Sequence, residues 1–219
     1  MGQGRGLGIL TRNREPLASG VAYGGVALLW KEGQVNFGDV PIKNEARYEV
    51  LICARSVPGH TRKYVVIACY IPPNYDRKRG AGAINFVRDC ITNSKKHYKD
   101  PYILLAGDFN QWAVEEAVVE YPDMMEILFG STRESRSIDR FFTNVGSLVP
   151  ESGTLAPLET EADDKGNSMS SDHRVAYACL ELKRREACDA QGADERVNAY
   201  QRSIQDAINR FFPPPDHGA

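Results

Sequence analysis

Apolar residues along the chain follow two periods. Residues 21–30 and 48–55 are rich in Val, Leu, Ile and aromatics and predict strands. Residues 64–71, Tyr-Val-Val-Ile-Ala-Cys-Tyr-Ile, form a near-continuous apolar run, as expected of a strand covered on both faces. The run stops at Pro72-Pro73, because proline has no N–H for a ladder. The period then changes. Ile84, Val87 and Ile91 recur at helical spacing, and Lys95 and Lys96 suit the negative end of that helix. Strands are predicted again at 102–106, 141–145 and 174–182, with a short helix over 115–119. Residues 150–170 carry Glu, Asp, Gly, Ser and Pro without an apolar period and read as a loop. Residues 2–8 hold glycine at every second position and read as a flexible terminus. Beyond Leu182, the charged stretch Lys183-Arg184-Arg185-Glu186 precedes a helical stripe of Val197, Tyr200, Ile204, Ile208 and Phe211. Pro213-Pro214-Pro215 ends it, so an amphipathic helix is expected over 191–212. Strands mixed with helices in this order imply a layered α/β architecture. The expected divisions are a flexible segment 1–19, a main domain 20–182, and a linker with helix 183–219.

Composition narrows the class. The chain has 219 residues, 42% of them hydrophobic, enough for one domain with a real core. The net charge of −2 is no signature of nucleic-acid binding, but the charge is unevenly spread. Residues 1–100 carry 16 Lys/Arg against 8 Asp/Glu, and residues 101–219 carry 11 against 21. A basic half facing phosphates and an acidic half holding metal is one reading; two solvated faces is the other. Five cysteines (53, 69, 90, 179 and 188) show no Cys-x-x-Cys, so neither zinc nor a disulfide framework is suggested. No stretch is apolar enough for a membrane span or a signal peptide, which points to an intracellular setting and no membrane partner.

Three segments could carry chemistry. Leu104-Leu105-Ala106-Gly107-Asp108-Phe109-Asn110 is an apolar run that delivers a carboxylate and an amide to a sheet edge. Ser137-Ile138-Asp139-Arg140-Phe141 and Ser171-Asp172-His173 add carboxylates and an imidazole, each beside a strand-like segment. Phosphodiester hydrolysis needs an aligned water, a base, and a cation on the developing negative charge. Mg²⁺ takes oxygen ligands and keeps several waters, so one or two carboxylates suffice. Each segment also has a plainer reading. A lone Asp at a strand end commonly caps a turn, Ser-Asp-His can begin a helix, and Asp139 can pair with Arg140. There is no Gly-x-Ser-x-Gly nucleophile elbow and no Gly-x-x-x-x-Gly-Lys phosphate loop.

Taken together, these segments resemble the endonuclease/exonuclease/phosphatase superfamily, the metal-dependent phosphodiesterases that include apurinic/apyrimidinic endonucleases and deoxyribonuclease I. Gly107-Asp108-Phe109-Asn110 is similar to the family's Gly-Asp-Phe-Asn. Ser137-Ile138-Asp139-Arg140-Phe141 resembles its Ile/Leu-Asp-aromatic strand, with Arg140 at the aromatic position. Ser171-Asp172-His173 resembles its terminal Ser-Asp-His. Ala68-Cys69-Tyr70-Ile71-Pro72-Pro73-Asn74 is similar to its Tyr-before-Pro strand, one residue longer than the usual Tyr-x-Pro-Asn. Tyr23-Gly24-Gly25-Val26-Ala27-Leu28-Leu29-Trp30 resembles a strand of LINE-type (non-LTR) retrotransposon endonucleases, as do residues 135–142. Phosphoinositide phosphatases and deadenylases belong to the same superfamily.

The resemblance, spanning roughly residues 20–182, implies a four-layer α/β sandwich of the deoxyribonuclease I-like type with a C-terminal helix. It implies Mg²⁺ (or Mn²⁺) as cofactor, DNA as partner, nuclear DNA as the workplace, and a reverse transcriptase domain downstream. Asp108 would position or deprotonate the water, or protonate the leaving group. Asn110 and Tyr70 would hydrogen-bond the phosphate, His173 would contact it, and Asp139 would orient His173. Asp172 and Asp108 would hold metal, and Asn74 would touch substrate. The family begins with a strand carrying Asn, then one ending in Gln-Glu, whose Glu is the principal metal ligand. Ahead of Gly24 the one acid is Glu15, in Arg14-Glu15-Pro16. The comparison therefore implies a sandwich missing its first two strands, with weak or no nuclease activity, or a non-catalytic remnant of a retroelement.

Overall fold

A computed structural model of the chain describes residues 7–13, 25–31, 37–39, 48–56, 62–159 and 170–180. In chain order the elements are β1 (Leu7–Asn13), β2 (Gly25–Lys31), β3 (Phe37–Asp39), β4 (Glu49–Ser56), β5 (Lys63–Tyr70), α1 (Arg77–His97), β6 (Tyr102–Asp108), α2 (Glu115–Val118), β7 (Met125–Glu126), β8 (Asp139–Thr143), a 3-10 turn at Gly146–Leu148, β9 (Glu151–Glu159) and β10 (Ser170–Cys179). Six strands form one sheet in the order β3-β4-β5-β6-β8-β7. β5 and β6 are parallel, and α1 is the crossover that joins them; the remaining pairs in this sheet are antiparallel.

One face of these strands is buried and the other is half-buried, so the expected cover on both faces is only partial. Val65, Ile67 and Cys69 on β5, with Ile103 and Leu105 on β6, are buried against α1. That helix answers with Ala83, Ile84, Val87, Cys90 and Ile91, the predicted stripe. Each Val, Ile or Leu among them contributes about 1.5–3 kcal/mol when fully buried. α1 starts earlier than the stripe implies, at Arg77, because the Asp76 carboxylate accepts from Arg79 N at 2.8 Å and caps the first turn. Lys95, Lys96 and His97 occupy its last turn, as expected. β1 and β2 form an antiparallel pair lying against β4, with β2 also against β5. β9 and β10 form a second antiparallel pair.

Three expectations change. Residues 150–170 are not simply a loop, since Glu151–Glu159 is β9; pairing with β10 overrides a composition poor in strand formers. Leu7–Asn13, placed in a flexible segment, is β1, and pairing with β2 orders it despite the surrounding glycines. The last strand runs Ser170–Cys179, starting before residue 174. The linker and helix expected over 183–219 lie outside the described residues, as do residues 21–24. No described helix is long and apolar enough to cross a membrane.

Close packing shows most clearly at Gly107. A Cβ there would meet the Cys69 carbonyl oxygen at 1.9 Å, which is backbone and cannot step aside. Gly107→Ala is therefore expected to destabilise the chain by about 3 kcal/mol or more, read as a lower midpoint in urea unfolding.

Candidate active site

One row of residues crosses four strands at the same end of the sheet. Glu49 on β4 is registered with Tyr70 on β5, Tyr70 with Asp108 on β6, and Asp108 with Asp139 on β8. Registered partners project to the same face, so the row gathers three of the sequence-predicted residues with a buried glutamate. Tyr75 Oη donates to Glu49 Oε2 at 2.7 Å.

The turn after β6 explains its motif residue by residue. Asp108 ends the strand. Phe109 is buried to 1% exposure and its N–H donates to Ile138 O at 2.8 Å. Asn110 takes φ +49°, a left-handed conformation that asparagine tolerates better than most residues. Its N–H donates to Asp108 Oδ1 at 2.9 Å, and its Nδ2 donates to Ile71 O at 3.0 Å. The amide thus ties the turn to the chain just past Tyr70.

β10 brings the imidazole. His173 Nδ1 lies 3.0 Å from Asp139 Oδ2, and its Nε2 lies 4.0 Å from Asp108 Oδ2. An ionised Asp139 accepts only, so Nδ1 carries the proton and Nε2 is left toward Asp108. Register shifts on either side of Arg174 interrupt the β9–β10 ladder here, a bulge that re-aims side chains. Asp108, Asp139 and His173 each offer a ligand atom within 4.8 Å of the others. The two carboxylates suit an oxygen-seeking divalent cation that keeps several waters.

Burial pushes the Asp108 carboxyl above its ordinary range, and Asp139 pushes the same way. The Asn110 N–H, His173 and Arg133 pull it back without cancelling the rise. Arg140 does not take Asp139. Its guanidinium donates to Glu126 Oε2 at 2.7 Å and pairs with Glu115 Oε1 at 2.7 Å. Asn74 is exposed in the turn after Pro73, and no contact ties it to the cluster among the described residues. Asp172 lies on β10, and its side chain is outside the described residues.

One residue escaped the sequence pattern. Thr132 is fully buried, and its hydroxyl accepts from Ile138 N at 3.2 Å and Asp139 N at 3.0 Å. Its carbonyl accepts from Arg174 N at 2.6 Å. Thr132 therefore fastens both halves of the Asp139–His173 pair. It sits among polar residues with no period, so nothing in the chain marks it.

No protein-family model and no curated protein matches the chain. Solved structures do. An endonuclease/exonuclease/phosphatase family protein from Bacteroides thetaiotaomicron superposes with TM-score 0.52 at 16% identity, over 77% of this chain and 73% of that one. The fold is that of the endonuclease/exonuclease/phosphatase family. The mannosyl-6-phosphatase of the same bacterium gives TM-score 0.56 at 15% identity, over 81% and 78%. The endonuclease domain of TRAS1, a telomere-specific non-LTR retrotransposon, gives 0.56 at 11% identity, over 82% and 81%.

Two outcomes follow from this geometry. Thr132→Val leaves two N–H groups without their acceptor and is expected to cost about 1–3 kcal/mol for each in urea unfolding, while Thr132→Ser recovers most of it. Asp108→Asn removes a charge whose folded-state pKa is raised. In chelator, its Tm at neutral pH is expected to exceed the parent's. The sign follows from linkage: the folded parent binds the proton more tightly, so it loses stability as pH rises from the ordinary carboxylate range through the raised pKa. Melting curves at a series of pH values should show the Asn advantage vanish below that window.

Proposed function

We propose that the chain is a metal-dependent phosphodiesterase acting on DNA, with its chemistry at Asp108, Asp139 and His173. The observation that carries this is the imidazole whose Nδ1 is held by one carboxylate while its Nε2 faces a second, the two carboxylates standing on adjacent paired strands. That is the arrangement needed to move a proton beside a phosphate.

In this reading Asp139 accepts from Nδ1–H of His173 and favours the doubly protonated imidazolium, whose Nε2–H donates to a phosphate oxygen and stabilises the charge gathering there. Asp108, with a raised pKa, positions or deprotonates the attacking water, or protonates the departing oxygen. Asn110 and Tyr70 hydrogen-bond the phosphate, and Asn74 meets the flanking substrate. Asp108 and Asp172 would hold Mg²⁺ or Mn²⁺, which supplies positive charge to the phosphoryl oxygens when bound. Weak metal affinity and slow turnover are expected, because the sequence ahead of Gly24 offers no Gln-Glu strand of the kind the family resemblance implies.

The fold likeness to a mannosyl-6-phosphatase and to a retrotransposon endonuclease domain supports phosphoester chemistry at this site. DNA is preferred because the Gly-Gly-Val strand and residues 135–142 resemble LINE-type endonucleases. Retrotransposon origin, a reverse transcriptase partner and a nuclear workplace belong to the same proposal.

Supercoiled plasmid incubated in millimolar Mg²⁺ or Mn²⁺ provides the test. Slow nicking is expected, abolished by chelator and reduced at least about 10²-fold in His173→Ala. Nicking that survives chelator or His173→Ala would overturn the assignment, and a wild-type chain that nicks nothing and takes up neither metal by calorimetry would favour the non-catalytic remnant.

A further inference from the structure

Arg133 is bridged to His173 in antiparallel sense. Bridged partners project to the same side of the ladder, so the Arg133 side chain leaves the backbone on the side of the His173 ring. The backbone at this point is pinned: Arg133 N donates to Arg136 O at 3.1 Å, Arg136 N to Arg133 O at 2.8 Å, and Thr132 N to Arg136 O at 2.9 Å. Thr132, one residue earlier, holds the Asp139 main chain. Arg133 thus shares a frame with both members of the Asp139–His173 pair. Its positive charge is felt at Asp108, less than burial or the Asn110 N–H is. The residue is half-buried.

A phosphodiester entering here meets two carboxylates and at most a partial compensating charge. A planar guanidinium with several donors is suited to take up that anion. We propose that Arg133 is the anion-contacting cation of this site, donating to a non-bridging phosphoryl oxygen while His173 Nε2 meets another. The proposal rests on the phosphoesterase reading above and adds a residue that none of the chain's motifs marks. Removing Arg133 should weaken both the bound phosphate and the more charged transition state.

Arg133→Gln and Arg133→Lys separate this role from a purely structural one. Inorganic phosphate is titrated into the full chain, with and without millimolar Mg²⁺, and followed by ³¹P NMR; plasmid nicking is measured in parallel. Arg133→Gln is expected to weaken phosphate binding roughly tenfold and to lower kcat/KM by about 10²-fold, at an unchanged Tm. Arg133→Lys should restore most of the phosphate affinity and only part of the rate, because a point charge replaces a fork of donors. Phosphate binding to Arg133→Gln within twofold of wild type would overturn the proposal. If phosphate binds through Arg133 and no phosphodiester is cut, Arg133 keeps its role and the nuclease reading fails. If plasmid is nicked equally well by Arg133→Gln, the nuclease reading stands and Arg133 does not.

Discussion

Asp108 and Asp139 stand directly opposite each other on adjacent antiparallel strands, where like charges repel, and both are largely shielded from water. Much of the surrounding structure answers that repulsion. An N–H from Asn110 meets one carboxylate, the His173 imidazole meets the other, and the Arg133 charge acts on the first. The rise in the Asp108 pKa shows that these groups offset the burial only in part. Such a pair works against folding and in favour of any cation or proton that enters, as expected of a site built for chemistry at some cost in stability.

The pair meets only if β6 and β8 hold their register, since a slip of one residue would turn Asp139 to the opposite face. The structure pins this ladder at both ends. Near the site, Phe109 N donates to Ile138 O at 2.8 Å and Thr132 holds Asp139 N. At the far end, Thr143 Oγ1 donates to Ile103 O at 2.7 Å, Ile103 N donates to Asn144 Oδ1 at 2.7 Å, and Asn144 Nδ2 donates to Pro101 O at 2.8 Å. Several of these partners are buried, where an unmade hydrogen bond costs most. The parallel partner β5 is fitted as tightly, because Gly107 alone lets the Cys69 carbonyl approach. Positioning two carboxylates is thus a property of the whole sheet.

How much of this was legible depended on the kind of signal each residue sends. Continuous apolar runs and the Ile84, Val87, Ile91 spacing report burial directly, so β4, β5, β6 and α1 were readable from pattern. Asp108, Asp139 and His173 were readable because each sits in a short motif beside a strand. β9 was not, since its Glu, Ser, Gly and Thr content is ordered by pairing with β10 and not by burial. β1 was hidden by glycines for the same reason. Thr132 and Arg133 were invisible because their importance comes from main-chain bonds to residues far along the chain, which no periodicity records. Asp139 alone was equally compatible with an Arg140 pair; only the alternation of β8, which sends Arg140 to Glu126 and Glu115 and Asp139 to His173, separates the two readings.

The division of charge along the chain also resolves differently in space. The site's carboxylates come from the acidic half, but so does Arg133, the cation whose charge reaches Asp108. From the basic half, Arg62 pairs with Asp100 at 2.6 Å and Lys95 with Asp123 at 2.7 Å, exposed ion pairs of the kind worth about 0–1 kcal/mol. Net charge by sequence half therefore says little about where a phosphate would be met. What matters is which cation the fold places beside the two carboxylates. Arg140 and Arg133 lie seven positions apart in this chain and take opposite roles. Arg140 is bound by two glutamates and braces β8 against β7 and α2. Arg133 is carried on a turn bridged to His173, so its side chain leaves the backbone on the side of the Asp139–His173 pair.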